Sequence, residues 1–280
     1  MTPPLTLGYS PCPNDTYIFY GLTHNKVALA DIKLAPPLLE DVETLNSWAV
    51  EKKLDITKLS FHALGHVLDE YCVLSAGSAL GRGCGPLLVA KPGFEVAALS
   101  SAKIAIPGRL TTANLLFRMY SPDSSNLIEL RFDEIMDAVT RGEVDAGVII
   151  HESRFTYAAQ DLVCLQDLGQ WWEESTGHPI PLGCIAARRT LGKKRIEYID
   201  KAIHDSIVWA DEHPDECLPY IRKYAQEMDQ QVMKNHIDLY VNDYSKALGT
   251  EGKAAIETFL RLGREANILP SPPEPISLQI

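Results

Sequence analysis

Short apolar runs alternate with amphipathic stretches along roughly the first 190 residues of the chain. The runs at 5–9, 32–34, 54–60, 102–108 and 143–150 are predicted strands. Residues 41–52 carry apolar side chains at helical spacing, and Asn14-Asp15-Thr16 supplies N-cap types for a helix that starts near Tyr17. An alternation of strands with helices is typical of an α/β fold, so we predict that class with a mainly parallel sheet.

One strand–helix pattern occurs twice in the chain. Residues 42–62 and 132–152 align without a gap when Asp55 is placed on Asp145. Each copy has an acidic helix start, an apolar helix face, a charged helix end and then an aspartate before a strand. We interpret the repeat as two similar α/β lobes. The sequence leaves open the alternative that any two units of this type look equally alike.

The pattern becomes helical from residue 191 onward. An apolar stripe from Ile196 to Ala210 stops before Pro214, and a Pro-rich segment at 268–280, which we expect to be extended, closes the chain. We predict a first lobe of residues 1–98 and 187–280, including the C-terminal helices, and a second lobe of residues 99–186. The helices pack either on the first lobe or in a homodimer, so the oligomeric state stays open.

The charge balance narrows the class of partner. The formal net charge is −11 and the pI is near 5.2, and no run of Lys or Arg is present. Nucleic acid and anionic membranes are bound by basic surfaces, so we exclude both as partners. A small anionic ligand needs only one or two local donors and remains compatible with this composition.

Three further features predict a cytoplasmic protein. The N-terminus lacks the basic segment and apolar core of a signal peptide. No apolar stretch reaches the roughly 18 residues of a membrane-spanning helix. The six cysteines are scattered without paired spacing, which favours reduced, buried thiols over a zinc site or a disulfide framework.

Ligands in open α/β sheets bind beyond the carboxyl ends of the strands, against helix N-termini. Polar side chains follow four of the predicted strands at such places: Asn14 and Asp15, then Lys58 and Ser60, then Thr111 and Thr112, then His151 and Arg154. We therefore predict that these residues face a ligand-binding cleft between the lobes.

The Thr111-Thr112 pair has two interpretations. A helix N-terminus offers unpaired N–H groups and a partial positive charge, and hydroxyls there add donors for a carboxylate or phosphate. Alternatively, one of the threonines is simply the N-cap of the helix. Gly108 before the pair favours close backbone approach and hence a ligand. Lys58 with Ser60 forms a second set of donors from the other lobe, although lysine is more often a solvated surface residue.

His151 is the candidate general base. The unperturbed pKa of histidine, near 6.5, suits proton transfer at neutral pH. A nearby Arg154 would favour the neutral imidazole and hold a substrate anion. A single histidine after an apolar strand is also commonly structural, and that alternative stays open. The sequence contains no nucleophile elbow, metal-ligand pair, P-loop or dinucleotide glycine signature, so we predict neither a metal nor a cofactor.

Four segments in this order resemble the 1,4-dihydroxy-6-naphthoate synthase family of the futalosine route to menaquinone: SPCPNDTYIF, DITKLSFHAL, IPGRLTTANLL and AGVIIHESRFTY. The resemblance spans the chain, and its first and last motifs are specific. It implies the type II periplasmic-binding-protein fold, in which two α/β lobes close on a cleft. That implication agrees with the repeat described above.

The resemblance also implies a chemistry. The substrate would be cyclic dehypoxanthine futalosine, and the products 1,4-dihydroxy-6-naphthoate and dihydroxyacetone, formed by a lyase without metal or redox cofactor. The family's proton-accepting histidine falls on His151. Its substrate-binding positions fall on two segments of this chain: Lys58-Leu59-Ser60 and Thr111-Thr112. The N-terminal motif either contacts the substrate or only shapes the cleft.

Two other functions fit the same fold. The first is a solute-binding protein that binds a small acid without consuming it, which the missing signal peptide disfavours. The second is the sister enzyme of the pathway, which dehydrates chorismate. The histidine of "HESRFTY" argues against that second function.

Overall fold

The computed structural model describes residues 3–225 and 229–271. Within these ranges the strands form two sheets. The first sheet contains β1 (Leu7–Tyr9), β2 (Leu38–Leu39), β3 (Ile56–Ser60), β4 (Tyr71–Val73), β5 (Ala79–Gly81) and β11 (Ile180–Arg188). The second contains β6 (Leu87–Ala90), β7 (Ile104–Ile106), β8 (Leu127–Glu129), β9 (Ala146–Ile149) and β10 (Val163–Asp167). Their orders are β2-β1-β3-β11-β4, with β5 paired to β11, and β10-β6-β9-β7-β8.

Each sheet combines parallel and antiparallel strands. β1 pairs in parallel with β2 and β3, and β7 pairs in parallel with β8 and β9. In the first sheet β11 runs antiparallel to β3, β4 and β5, and in the second β6 runs antiparallel to β9 and β10. The α/β class with two lobes is therefore confirmed, whereas the mainly parallel pairing holds for only part of each sheet.

The two aspartates that align in the sequence have the same role in the structure. Asp55 Oδ2 accepts a hydrogen bond from Thr6 N at 2.8 Å, and Asp145 Oδ2 accepts one from Lys103 N at 2.7 Å. Each aspartate precedes a central strand, β3 or β9, and its donor directly precedes the parallel neighbour, β1 or β7. The repeat thus reflects two equivalent strand pairs.

Strand membership divides the chain at places other than the predicted 98/99 and 186/187. β6 already belongs to the second sheet, and β11 already belongs to the first. We propose that the chain crosses between lobes within 82–86 and within 168–179. The sequence did not reveal this because both strands are apolar along their length, as strands buried on both faces are.

The helices are α1 (Pro13–Thr23), α2 (Val42–Val50), α3 (Phe61–His66), α4 (Thr112–Tyr120), α5 (Ile135–Arg141), α6 (Ser153–Thr156), α7 (Leu168–Thr176), α8 (Lys193–Glu212), α9 (Pro214–Tyr224), α10 (Gln230–Tyr240), α11 (Asp243–Lys246) and α12 (Gly249–Glu265). Short 3₁₀ turns occur at Val96–Ala98, Phe132–Glu134, Tyr157–Gln160 and Arg189–Leu191. No helix in the described ranges has the length and apolar character needed to cross a membrane.

The C-terminal helices pack on the first lobe. The predicted stripe of α8 is buried from Ile196 to Ala210, and α8, α9 and α10 all contact α1. α12 packs against β11 and α3, and its Phe259 joins one apolar cluster with Tyr71 of the first sheet and Ile104 of the second. The end of the Pro-rich tail, residues 272–280, lies outside the described residues.

Two local predictions need correction. α1 begins at Pro13 with Cys12 as its N-cap, whereas we expected Asn14-Asp15-Thr16 to cap a helix starting near Tyr17. Proline at the first helical position is favourable because its missing N–H needs no partner there. The predicted strand at 32–34 is only an isolated bridge between Leu5 and Leu34.

Candidate active site

A cavity of about 90 Å³ lies between the two sheets. Seven of the nine predicted site residues line it: Asn14, Asp15, Lys58, Ser60, Thr111, Thr112 and His151. They come from α1, the end of β3, the start of α4 and the residue that follows β9 by two positions. The structure therefore brings strand ends and helix N-termini together at one cavity, as we predicted.

Leu59 and Arg154 do not line this cavity. Side chains alternate across a strand, so Leu59, between two cavity residues, turns into the apolar core and is fully buried there. Arg154 pairs with Asp167 Oδ2 at 2.6 Å and donates to the carbonyl of Gly85 at 2.6 Å. Contact of either residue with substrate stays a prediction.

A buried ion pair forms the wall of the first lobe. Lys58 Nζ lies 2.6 Å from Asp15 Oδ1, and their side chains are only 6% and 2% exposed. Asp15 also accepts hydrogen bonds from Ser10 N, Ser10 Oγ and Asn14 Nδ2. A buried charge pair is stable only when its remaining hydrogen-bonding groups are satisfied, and here the carboxylate has four donors.

The hydroxyl residues of the cavity already have protein partners. Ser60 Oγ accepts from Asn46 Nδ2 at 3.1 Å. Thr111 Oγ1 accepts from Asn114 N at 3.3 Å, so this threonine is the N-cap of α4, as one of our two interpretations held. Thr112 Oγ1 donates to the carbonyl of Leu182 at 2.6 Å. Because Thr111 and Thr112 also line the cavity, the N-terminus of α4 faces it.

His151 lies two residues beyond the carboxyl end of β9, and its backbone conformation is strained. Its φ of +57° is uncommon for a residue other than glycine, and such strain concentrates at functional sites. Its Nδ1 lies 3.7 Å from Cys12 Sγ, and its ring meets Phe132 edge-on with centroids 4.9 Å apart. Burial lowers the pKa of His151 below 6.5, against the opposing charges of Glu152 and Asp15. The imidazole is therefore neutral and basic at pH 7, and burial rather than Arg154 is the cause.

Sequence reasoning missed His236, which also lines the cavity. It lies on α10 and is 1% exposed, and its Nε2 is 2.9 Å from Asn14 Oδ1. Its ring stacks near that of His151 with centroids 6.0 Å apart. Met233, His236 and Tyr240 form the buried face of α10, so a histidine on an apolar stripe was the available signal. That signal alone does not distinguish a site residue from a core residue.

Cys12, His151 and Glu152 offer sulfur, nitrogen and oxygen atoms within 4.8 Å of one another, a spacing that suits a metal ion. Metal binding requires a thiolate. Burial, followed by the charge of Glu152, raises the pKa of the Cys12 thiol well above 9.0. A metal ion would have to displace the thiol proton to bind here, and the absence of a metal stays a prediction.

Comparison with known proteins places the chain in a family. Residues 5–265 match the family described as menaquinone biosynthesis. A 1,4-dihydroxy-6-naphthoate synthase of Thermus thermophilus is 47% identical over 272 residues, which cover 97% of this chain and 98% of that protein. A second, from Streptomyces coelicolor, is 41% identical over 275 residues, covering 95% of each chain.

Several solved structures are similar to this chain in fold. A crystal structure of a protein from Archaeoglobus fulgidus is similar with a TM-score of 0.87 and 38% identity, covering 94% of this chain and 97% of that one. A Candida albicans protein with the generic periplasmic-binding-protein fold has a TM-score of 0.68 at 15% identity, covering 97% of this chain and 92% of that one.

The two-lobed fold and its interlobe cavity define a protein of the periplasmic-binding-protein type, an α/β ligand-binding fold. Within this class, the chain belongs to the 1,4-dihydroxy-6-naphthoate synthase family of menaquinone biosynthesis, whose members are lyases. The predicted family and fold are both confirmed.

Proposed function

We propose that this protein cleaves cyclic dehypoxanthine futalosine into 1,4-dihydroxy-6-naphthoate and dihydroxyacetone, with His151 as the proton acceptor. The neutral, partly buried imidazole of His151 at the wall of the cavity is the observation that carries the proposal. Six free thiols, five of them buried, are compatible with a reducing cytoplasm as the site of the reaction.

The N-terminus of α4 is the proposed anchor for the substrate carboxylate. The first N–H groups of a helix have no intrahelical partner and carry a partial positive charge. Thr112 and Ala113, in the first turn of α4, line the cavity. Lys58 adds a positive charge from the opposite wall, although its direct partner is Asp15. A carboxylate therefore finds its donors at α4 and only a secondary attraction at Lys58.

The reaction then needs one base and a fixed substrate. His151 removes a proton from the substrate, the carbon–carbon bond breaks, and the three-carbon ketose leaves. Formation of the aromatic ring of the naphthoate supplies much of the driving force. Exclusion of water by the closed lobes strengthens the electrostatic interactions around the reacting atoms.

The proposal is tested with purified protein and no added cofactor. Naphthoate formation from cyclic dehypoxanthine futalosine is followed for the wild type, for His151→Ala and for the control His204→Ala, an exposed histidine on α8. We expect turnover by the wild type and the control, and a loss of about 10²–10⁴-fold in His151→Ala.

Two outcomes would contradict the proposal. Near-normal turnover by His151→Ala would remove His151 as the base. No turnover by the wild type, with tight binding of a small acid, would favour a solute-binding function, and conversion of chorismate in a parallel assay would identify the sister dehydratase.

A further inference from the structure

Two buried acceptor atoms face each other beside the cavity. Glu152 Oε2 and His236 Nδ1 lie 3.8 Å apart, too far for a direct hydrogen bond. Neither atom has a hydrogen-bond partner among the described residues, and both are sealed from solvent. An unsatisfied buried polar atom is costly, so a pair of them next to a cavity needs an explanation.

The hydrogen-bond network fixes which nitrogen of His236 carries the proton. Asn14 Nδ2 donates to Asp15 Oδ1 at 2.9 Å, so Asn14 Oδ1 is left as an acceptor. That oxygen lies 2.9 Å from His236 Nε2, which must therefore be the donor. Burial lowers the pKa of His236 well below 6.5, and repulsion from a protonated His151 and from Lys58 acts in the same direction. The ring is neutral, and its Nδ1 carries a lone pair.

The pair consequently presents two acceptors and no donor. A carboxylate, a ketone or an ether oxygen would add a further acceptor and be repelled. A hydroxyl group would donate to either atom or share its hydrogen between them. Since both atoms are sealed from solvent, water does not compete for them. A hydroxyl that enters from the cavity, moving these side chains slightly, would gain the full interaction.

We infer that Glu152 and His236 form a subsite that accepts hydrogen bonds from a hydroxyl of the three-carbon part of the substrate. The inference rests on the proposed function, because dihydroxyacetone as a product requires that the substrate carry hydroxyl groups in this part. The rings of His236 and His151 lie 6.0 Å apart, so a hydroxyl held here lies next to the base. Both residues are positioning residues.

Three substitutions separate the atoms involved. Glu152→Gln turns the acceptor into an amide whose N–H₂ can donate to His236 Nδ1, which satisfies the pair internally and closes it to substrate. His236→Gln places an amide nitrogen near Nε2, keeping the bond to Asn14 and losing the Nδ1 acceptor. His236→Asn places an amide oxygen near Nδ1 and keeps the acceptor.

We expect Glu152→Gln to raise the melting temperature while it lowers kcat/KM by about 10–100-fold, mainly through KM. His236→Gln should lower kcat/KM by about 3–10-fold, and His236→Asn should lower it less. A residue with only a structural role would not combine higher stability with weaker substrate binding.

The pH dependence of kcat/KM separates the loss of a subsite from an indirect effect on the proposed base, His151. The charge of Glu152 opposes the lowering of the pKa of His151, so its removal could act on the base instead. In that case the acid limb of kcat/KM in Glu152→Gln would shift to lower pH. A subsite predicts a drop at every pH, in addition to any shift of that limb.

The outcomes distinguish this inference from the proposed function. An active wild type with unchanged kcat/KM in Glu152→Gln, or with a shifted acid limb and no other loss, would overturn the subsite alone. A wild type that does not turn over cyclic dehypoxanthine futalosine would overturn the proposed function and the subsite with it.

Discussion

The two walls of the cavity are built on equivalent strands, β3 and β9, but their polar groups differ in how many protein partners they have. At the end of β3, Lys58 and Asp15 form a buried ion pair whose carboxylate has four donors. Beyond β9, the imidazole of His151 makes a single polar contact among the described residues, a long one to Cys12 Sγ at 3.7 Å, and its backbone is in the left-handed region. The polar groups of one wall are satisfied by protein partners, whereas the other wall holds the imidazole that we propose as the base.

The repeat shows which features the lobes share. When Asp55 is aligned with Asp145, His151 falls opposite Phe61, a fully buried core residue at the start of α3. The aspartates that tie neighbouring strands together are common to both lobes, whereas the histidine that we propose as the base is not. The scaffold is therefore duplicated, and the proposed base occurs in one copy.

The largest expected effect comes from removing one partner of the buried Lys58–Asp15 ion pair in the wall of the first lobe. Lys58→Met leaves Asp15 as an uncompensated buried charge, which should lower the free energy of unfolding by about 3–5 kcal/mol. Denaturant unfolding measures it. The matched control is Lys234→Met, which removes an exposed pair with Asp238 and should cost at most about 1 kcal/mol.

A double variant tests the cause of that loss. Lys58→Met combined with Asp15→Asn removes both charges and should recover part of the stability. If the single variant were as stable as the wild type, the ion pair would not be what holds this wall together.

A smaller effect should distinguish the two aspartates. Asp55 accepts from both Thr6 N and Thr6 Oγ1 and is partly buried, whereas Asp145 accepts from Lys103 N at an exposed position. We expect Asp55→Ala to lower the free energy of unfolding by about 2 kcal/mol and Asp145→Ala by about 1 kcal/mol. Urea unfolding of both variants measures the difference, and a larger loss in Asp145→Ala would contradict it.

The sequence predicted much of the site because strand ends and helix starts have readable patterns. Lys58 and Ser60 lie in β3, whereas Thr111 and Thr112 follow β7 and His151 follows β9. The geometry of an α/β sheet brings such positions together. The architecture of two lobes followed from the repeat and from the change to helices after residue 191.

The remaining errors have physical causes. Arg154 is close to His151 in sequence, but the chain turns sharply at His151 and α6 carries the arginine to Asp167. His236 comes from α10, which reaches the cavity only because it packs on α1. No local pattern encodes that tertiary contact. The predicted lobe boundaries stay predictions. They differ from the strand membership of β6 and β11 because an apolar strand does not reveal which sheet it joins.

A pH-dependent effect concerns Glu43, which connects the two walls. This residue of α2 accepts a hydrogen bond from Leu110 N in the second lobe at 2.9 Å and another from Asn46 Nδ2. Burial raises the pKa of Glu43 to about 7, against the hydrogen bonds from Leu110 and Asn46. Since the folded protein holds this proton more tightly than the unfolded chain, its stabilising contribution is complete below about pH 4.5 and declines as the pH rises through 7.

Glu43→Gln should remove that decline. Between pH 5 and pH 8 the wild type should lose about 1–2 kcal/mol of unfolding free energy relative to Glu43→Gln, allowing for the partial exposure of the side chain. Glu257→Gln, at an exposed position on α12, serves as the control and should follow the wild type. Parallel pH dependence in wild type and Glu43→Gln would show that Glu43 bridges the lobes as an ordinary carboxylate, and that the strength of this bridge does not change near neutral pH.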